Sequence, residues 1–177
     1  CLVQRVSYTG DLGYEIYCDP MAQRQLWWTL WNEGQAHGMQ PFGMRAMMSL
    51  RLDKFFGSWL SEFSPDYTAA ETGMARFISF KKNTDFIGRA AAEAERATPP
   101  ARQLCAFEVD ADNADVVGYE PIWIDGIVVG FCTSGGYSHY AGKSIAQALI
   151  PREMAQAGLE VEIEILGHMR KATLITE

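Results

Sequence analysis

Two adjacent prolines, Pro99 and Pro100, divide the chain into two parts. Proline lacks a backbone N–H donor and fixes φ, so neither a helix nor the interior of a sheet continues easily through this pair. Helix and strand patterns mix before the prolines, whereas short strand patterns follow one another after them. The sequence therefore predicts an α+β protein with two domains, residues 1–97 and residues 102–177.

The first predicted domain combines a strand pair with helices. Residues 3–8 and 14–18 have strand patterns, and the loop between them contains glycines that permit a tight connection. Pro20 suits the first turn of a helix, and apolar residues follow it at helical spacing. The same criteria predict a helix, a strand and another helix, in that order, at residues 43–56, 74–80 and 87–96.

The second predicted domain consists of short strands. Asp125 and Gly126 interrupt an apolar run and are a strong signal for a type I′ hairpin turn. Residues 134–136 (Ser-Gly-Gly) predict a tight bend between two strands. Further strand patterns occupy residues 103–109, 144–150, 159–165 and 172–175. Five or six short strands in one domain predict a small closed β-barrel or a β-sandwich.

The balance of charge and hydropathy disfavours several classes of partner. The chain has 15 Lys and Arg against 22 Asp and Glu, a net charge of −7, so it should repel a nucleic-acid backbone. No stretch approaches the ~18 consecutive apolar residues of a membrane span. The first residues also lack the charged and apolar regions of a signal peptide. We therefore expect a cytoplasmic protein without a nucleic-acid or membrane partner.

Three further patterns have simpler interpretations than the chemistry they suggest. The three histidines are isolated and no cysteine stands at ligand spacing, so no metal site is predicted. Residues 136–144 end in Gly-Lys-Ser, but five residues separate the two glycines and a strand pattern follows, which argues against a phosphate loop. The alternating Glu160, Glu162 and Glu164 predict the solvated face of a strand.

The cysteines show no paired spacing. Cys105 and Cys132 lie in apolar strand patterns, which predicts buried thiols. A nucleophile made of Ser134 or Cys132 with His139 as base would need a third group to orient the base. No spacing in the sequence supplies that group, so nucleophilic catalysis is not favoured.

Glu15 and Arg51 each have two interpretations. The alternation of residues 14–17 places Glu15 and Tyr17 on the same face of a strand. Glu15 is either a solvent-facing carboxylate or one that accepts paired N–H donors from a flat heterocycle. Arg51, near the end of an apolar helix, is either a cation paired with a carboxylate or a fork that clamps a ligand carboxylate.

Ordered motifs along nearly the whole chain resemble one known family. Residues 8–16 (YTGDLGYEI) are similar to a signature of the glycine-cleavage T-protein family of aminomethyltransferases. Residues 49–54 (SLRLDK) resemble its Leu-Arg-Leu-Glu helix, in the version found in the folate-binding part of dimethylglycine and sarcosine dehydrogenases. Further resemblances lie at residues 70–74, 85–89, 133–136 and 143–146.

This resemblance implies both a fold and a reaction. Residues 1–97 would be the C-terminal portion of a folate-binding aminomethyltransferase domain, and residues 102–177 its C-terminal β-barrel. The implied reaction is a tetrahydrofolate-dependent one-carbon transfer from a methylated amine, such as dimethylglycine or sarcosine, to N5 and N10 of the folate. The sequence has no dinucleotide fingerprint, so FAD is expected only if an upstream flavin domain exists.

Positional match also implies the residues of a cofactor site. Glu15 would hold the amino-pyrimidine edge of the pterin, and Tyr8 would pack or hydrogen-bond beside it. Arg51 would lie toward the p-aminobenzoyl-glutamate end of the folate. Trp59 would line the same cavity.

Departures from the family pattern lead to further expectations. Met47 stands where T-proteins carry an arginine, and Asp53 stands where they carry glutamate. The aspartate that positions the reactive amine lies upstream in the family, so no catalytic residue is assigned. Because the sequence starts at Cys1, we expect a C-terminal fragment that is inactive alone. The alternatives are a non-catalytic folate-binding or interaction module, or a folate-dependent demethylase for a sulfur-methyl donor.

Overall fold

The computed structural model of the protein describes residues 1–176. Its helices are α1 Pro20–Gln35, α2 Met44–Leu52 and α3 Arg89–Ala97, with short 3₁₀ helices at Met74–Phe77 and Arg152–Met154. Its strands are β1 Leu2–Gln4, β2 Glu15–Tyr17, β3 Arg102–Val109, β4 Pro121–Ile124, β5 Ile127–Ser138, β6 Lys143–Pro151, β7 Glu160–Ile165 and β8 His168–Thr176. All three α-helices thus precede the long strands, which confirms the α+β prediction.

The predicted strand pair and first helix are confirmed. β1 and β2 pair antiparallel, with Val3 opposite Ile16, although each strand has only three residues. α1 begins where the Asp19 carboxylate accepts a hydrogen bond from the Met21 amide at 2.8 Å, with Pro20 in the first turn. No residue of α1 is buried, so the helix lies on the surface of the structure.

The strand predicted at residues 74–80 is wrong. Gly73 adopts a left-handed conformation with φ of 73°, and the chain then turns into the 3₁₀ helix Met74–Phe77. A strand needs a neighbour with which to exchange backbone hydrogen bonds. Among residues 1–176 no strand pairs with this segment, so its apolar pattern cannot form a sheet.

The six long strands form a closed antiparallel barrel, in the order β3-β6-β5-β4-β7-β8 and back to β3. This confirms the barrel and decides against the sandwich. The core contains the inward side chains of every strand and includes both predicted buried thiols, Cys105 and Cys132. On β7, Val161, Ile163 and Ile165 are buried while Glu160 and Glu162 are exposed, as the alternation predicts.

The turn predictions had different outcomes. Asp125 and Gly126 have φ of 50° and 76°, which confirms a turn with two left-handed residues between β4 and β5. The tight bend predicted at residues 134–136 is wrong, because these residues lie inside β5 and pair with β6 across a register shift. Gly135 instead permits a close approach, since a Cβ there would lie 2.5 Å from the Val116 side chain.

Helix α2 packs against the barrel. The Ser49 hydroxyl donates to the Tyr137 carbonyl at 2.5 Å, and the Ser138 hydroxyl donates to the Asp53 carboxylate. Leu52, at the end of the helix, is buried. The division into separate domains at residues 1–97 and 102–177 stays a prediction, although the first barrel strand begins at Arg102. Within the described chain no helix is both long and apolar enough to cross a bilayer.

Candidate functional site

The loop between β1 and β2 contains the first signature motif and rests on the segment after α2. The Tyr8 hydroxyl donates to the Gly57 carbonyl at 3.1 Å, a contact between residues 49 positions apart. Gly10, with φ of 87°, is so close to Lys54 that a Cβ would lie 2.3 Å from its side chain. The structure therefore brings the motif at residues 8–16 into contact with the motif at residues 49–54.

The segment at residues 56–63, called the Trp59 loop below, has a buried base and an exposed tip. Gly57 is buried, and a Cβ there would collide with the Phe63 ring at 2.6 Å. Trp59 is 83% exposed, and its ring meets that of Phe63 edge-on at 6.0 Å between centroids. The loop therefore presents an aromatic face next to the residue that Tyr8 contacts, where a flat ligand could stack.

Glu15 lies on β2 and is exposed. Its Oε2 accepts a hydrogen bond from the Tyr17 hydroxyl at 2.5 Å, which confirms that the two side chains share a face. This hydrogen bond, together with the negative charge of Glu15, raises the pKa of Tyr17. A carboxylate has about four lone-pair directions, so Glu15 can still accept N–H donors from a ligand.

Arg51 is buried, with 1% of its surface exposed. Its Nη1 donates to the Phe56 carbonyl at 2.9 Å and to Gln147 Oε1 at 3.2 Å, and lies 3.4 Å from Glu62 Oε2. Of the two interpretations of Arg51, the observed contacts match a cation paired with a carboxylate. The pair lies in the interior rather than at the surface. Its contact with the glutamate end of a folate stays a prediction.

Sequence reasoning missed Glu62, which is fully buried at the base of the Trp59 loop. Its carboxylate accepts hydrogen bonds from the Ser58 amide at 2.7 Å, the Ser61 hydroxyl at 2.7 Å and the Ser134 hydroxyl at 2.5 Å. Burial alone would raise the pKa of Glu62, but the hydrogen bonds, that from Ser134 foremost, outweigh burial and lower it. Glu62 lies in an irregular segment, so no periodic pattern could reveal it.

Neither possible nucleophile in the barrel is suited to attack a substrate. Cys132 is fully buried, and burial raises the pKa of its thiol far above the usual value, so the thiol stays protonated. Ser134 donates its hydroxyl to Glu62. The arrangement therefore supports binding by the exposed groups rather than attack by a barrel nucleophile.

The exposed groups suit a flat heterocycle rich in N–H donors. Trp59 offers a stacking face, Glu15 offers a carboxylate, and the Tyr8 hydroxyl lies beside the Trp59 loop. A stacking ring together with a carboxylate that accepts N–H donors fits a pterin. The structure joins Tyr8 and Arg51 to the Trp59 loop, but among the described contacts none joins Glu15 to that loop.

The signature loop thus rests on the segment after α2, and α2 packs against the six-stranded barrel. Two family models match the chain, the GCVT N-terminal domain at residues 1–82 and the glycine cleavage T-protein C-terminal barrel domain at residues 102–177. The chain belongs to the glycine-cleavage T-protein family.

Individual relatives agree with this assignment. The chain is 39% identical over 173 residues to the mitochondrial dimethylglycine dehydrogenase of Rattus norvegicus, covering 98% of this chain and 20% of that protein. It is 35% identical over 175 residues to an aminomethyltransferase of Clostridium botulinum (strain Kyoto / Type A2), covering 99% and 47%. The chain thus spans about a fifth of the dehydrogenase and about half of the aminomethyltransferase.

A solved structure shares the fold. The glycine cleavage system aminomethyltransferase T from Bartonella henselae superposes with a TM-score of 0.86, covering 98% of this chain and 48% of that chain. The two sequences are 21% identical, so this likeness shows the fold alone. The fold of this chain therefore corresponds to about half of that structure.

Proposed function

We propose that this chain forms part of a tetrahydrofolate site that serves one-carbon transfer from a methylated amine, such as dimethylglycine or sarcosine. Family membership supports folate-dependent one-carbon transfer in general. The observation that carries the proposal is the hydrogen bond from Tyr8 to Gly57, which fixes the signature loop against the loop that presents Trp59.

In this proposal the pterin lies between the two loops. Trp59 stacks on its ring, Glu15 accepts the N–H donors of its amino-pyrimidine edge, and Tyr8 borders the same space. Tetrahydrofolate supplies N5 and N10 as acceptors of the one-carbon unit, and the residues of this chain bind and orient it. The buried contacts of Arg51 favour a role in holding the Trp59 loop over one at the glutamate end of the folate.

The donor and the wider protein are also proposals. The dimethylglycine dehydrogenase relatives suggest a methylated glycine as donor. The family resemblance implies in addition that any flavin domain would lie outside this sequence. The aminomethyltransferase relatives suggest an aminomethyl donor instead. Cytoplasmic location stays a prediction, since the relatives include proteins named as mitochondrial.

A second candidate is a folate-binding module that has lost catalysis. Met47 favours it, because this residue stands where T-proteins carry an arginine. Loss of that cation would weaken the hold on the glutamate tail and the alignment of the donor. Binding would then persist without transfer.

Titration with tetrahydrofolate tests the proposal, using the longest natural form of the protein that carries this chain. We expect Glu15→Ala to weaken binding at least about tenfold, the loss of one hydrogen bond to a charged group. Glu33→Ala removes an exposed carboxylate from α1 and is the matched control. No binding by the unmodified protein, or equal binding by both variants, would contradict the pterin assignment.

Turnover separates transfer from binding alone. A methyl carbon must lose two electrons to reach the methylene level, so the proposal expects methylene-tetrahydrofolate to form from dimethylglycine or sarcosine in a longer form of the protein whose flavin domain accepts those electrons. Folate binding without turnover of either amine would favour the non-catalytic module. Methyl-tetrahydrofolate formed from a sulfur-methyl donor would favour the demethylase alternative.

A further inference from the structure

The Trp59 loop has no helix or strand to fix its shape. Its tip nevertheless carries two large apolar residues in solvent, Trp59 at 83% and Leu60 at 90% exposure. Because these apolar side chains are exposed, their burial cannot offset the entropy that the loop loses when it holds one conformation. Its conformation must therefore depend on the contacts at its base.

Two hydrogen bonds within the loop converge on the Glu62 carboxylate, beside the backbone hydrogen bonds that the Ser58 carbonyl accepts from Ser61 at 3.2 Å and Phe63 at 2.9 Å. Glu62 Oε2 accepts from the Ser58 amide and from the Ser61 hydroxyl, both at 2.7 Å. These two donors lie on either side of Trp59 in the sequence. The carboxylate therefore closes the loop around the residues that carry its exposed tip.

The same carboxylate connects the loop to the barrel. Glu62 Oε1 accepts from the hydroxyl of Ser134, a buried residue of β5, at 2.5 Å. Gln147 of β6 and Arg51 of α2 both donate to the Phe56 carbonyl, at 3.4 Å and 2.9 Å, at the start of the loop. Loop, helix and barrel thus share one buried polar cluster.

This cluster is costly unless every member is satisfied. An ionised carboxylate removed from water is destabilising unless it is paired and hydrogen-bonded. Glu62 has an arginine and three hydrogen-bond donors, so its satisfaction depends on the loop, α2 and β5 keeping their relative positions. Displacement of the loop would separate the Glu62 carboxylate from Arg51 and Ser134.

We propose that Glu62 is a positioning residue, which anchors the Trp59 loop to strand β5 and thereby sets the placement of Trp59 for the ligand. The second clause rests on the proposed folate function, whereas the anchoring does not. Through Gly57, the same anchor also holds the carbonyl that accepts from Tyr8. A barrel hydroxyl thus controls a binding surface on the other part of the chain.

Two serines of β5 provide a matched pair of variants. Ser134 and Ser138 are both buried, and each donates its hydroxyl to a carboxylate from residues 1–97. Ser134 bonds to Glu62 in the Trp59 loop, whereas Ser138 bonds to Asp53 at the end of α2. Ser134→Ala should therefore disturb the loop, and Ser138→Ala should not.

The first measurement is hydrogen exchange of the Ser58 amide, which donates to Glu62. We expect Ser134→Ala to accelerate this exchange about tenfold, and Ser138→Ala to change it less than about twofold. Glu62→Gln keeps the volume of the side chain but not its charge, and should accelerate exchange as well. Equal rates in the two serine variants would overturn the anchoring.

The second measurement is tetrahydrofolate binding by the same variants in the longest natural form of the protein. Binding weakened about tenfold by Ser134→Ala but not by Ser138→Ala would support positioning. Faster exchange with unchanged binding would overturn the positioning role. If the unmodified protein binds no folate, the proposed function fails, while the exchange measurement still decides whether Glu62 anchors the loop.

Discussion

The Arg51 guanidinium and the Glu62 carboxylate form a buried ion pair, with 3.4 Å between Nη1 and Oε2 and side chains 1% and 0% exposed. From two neighbouring barrel strands, Gln147 accepts a hydrogen bond from Arg51 Nη1 and Ser134 donates one to Glu62, whereas Arg51 Nε is buried without a partner among the described residues. The pair therefore lies where helix, loop and barrel meet. Such a pair stabilises this junction only while all of its partners are present.

Removing one member of the pair should cost much stability. Arg51→Met leaves the Glu62 carboxylate buried without its cation, so we expect the free energy of unfolding to fall by about 3–5 kcal/mol. Lys143→Met breaks the exposed pair with Glu108 and should cost at most about 1 kcal/mol. Urea denaturation of both variants measures the difference. Similar small losses would contradict a role for the buried pair in stability.

The stability of the protein should depend on the ionisation of Glu62. Because the folded pKa of Glu62 is lowered, the unfolded chain, with a glutamate pKa of about 4.3, takes up a proton first as the pH falls. The contribution of Glu62 is present above that pH and is lost as the pH falls through the folded pKa.

A comparison of wild type with Glu62→Gln tests this dependence. The difference in their free energies of unfolding should be largest near neutral pH and shrink below about pH 5. Glu160→Gln, on the exposed face of β7, serves as control and should follow the wild type. A constant difference between wild type and Glu62→Gln would refute the prediction.

Two barrel glycines should differ in their tolerance of a methyl group. At Gly130 a Cβ would lie 2.2 Å from the Leu149 carbonyl oxygen, so Gly130→Ala must displace backbone between paired strands. At Gly126 the space is open and only the φ of 76° opposes alanine, at a cost of about 1–2 kcal/mol. Thermal unfolding should show a clearly larger loss for Gly130→Ala. Equal losses would exclude a close strand approach at Gly130.

The contact between Tyr17 and Glu15 should be visible in a titration. Glu15→Ala removes the hydrogen bond and the negative charge that raise the pKa of Tyr17, so this pKa should decrease. Tyrosine carbon NMR as a function of pH measures it, with Glu160→Ala as the control substitution. An unchanged Tyr17 pKa in Glu15→Ala would show that the two side chains do not interact in solution.

Local sequence determined much of the fold. The alternation along β7, the Asp125–Gly126 turn and the start of α1 at Pro20 depend on residues that are neighbours in the chain. The prediction at residues 74–80 was wrong because an apolar run becomes a strand only beside another strand. Similarly, Gly135 marks a close approach to Val116 rather than a bend, which no local pattern could distinguish.

The sequence by itself determined the family motifs, the barrel strands and the acidic character of this protein. Only the tertiary structure decided that Arg51 lies in the interior and that Glu62 holds the Trp59 loop. The reason is distance along the chain, since Glu62 meets Ser134 across 72 residues and Arg51 meets Gln147 across 96. Periodicity reports the neighbours of a residue within one element, whereas the partners of a buried charge depend on how the elements pack.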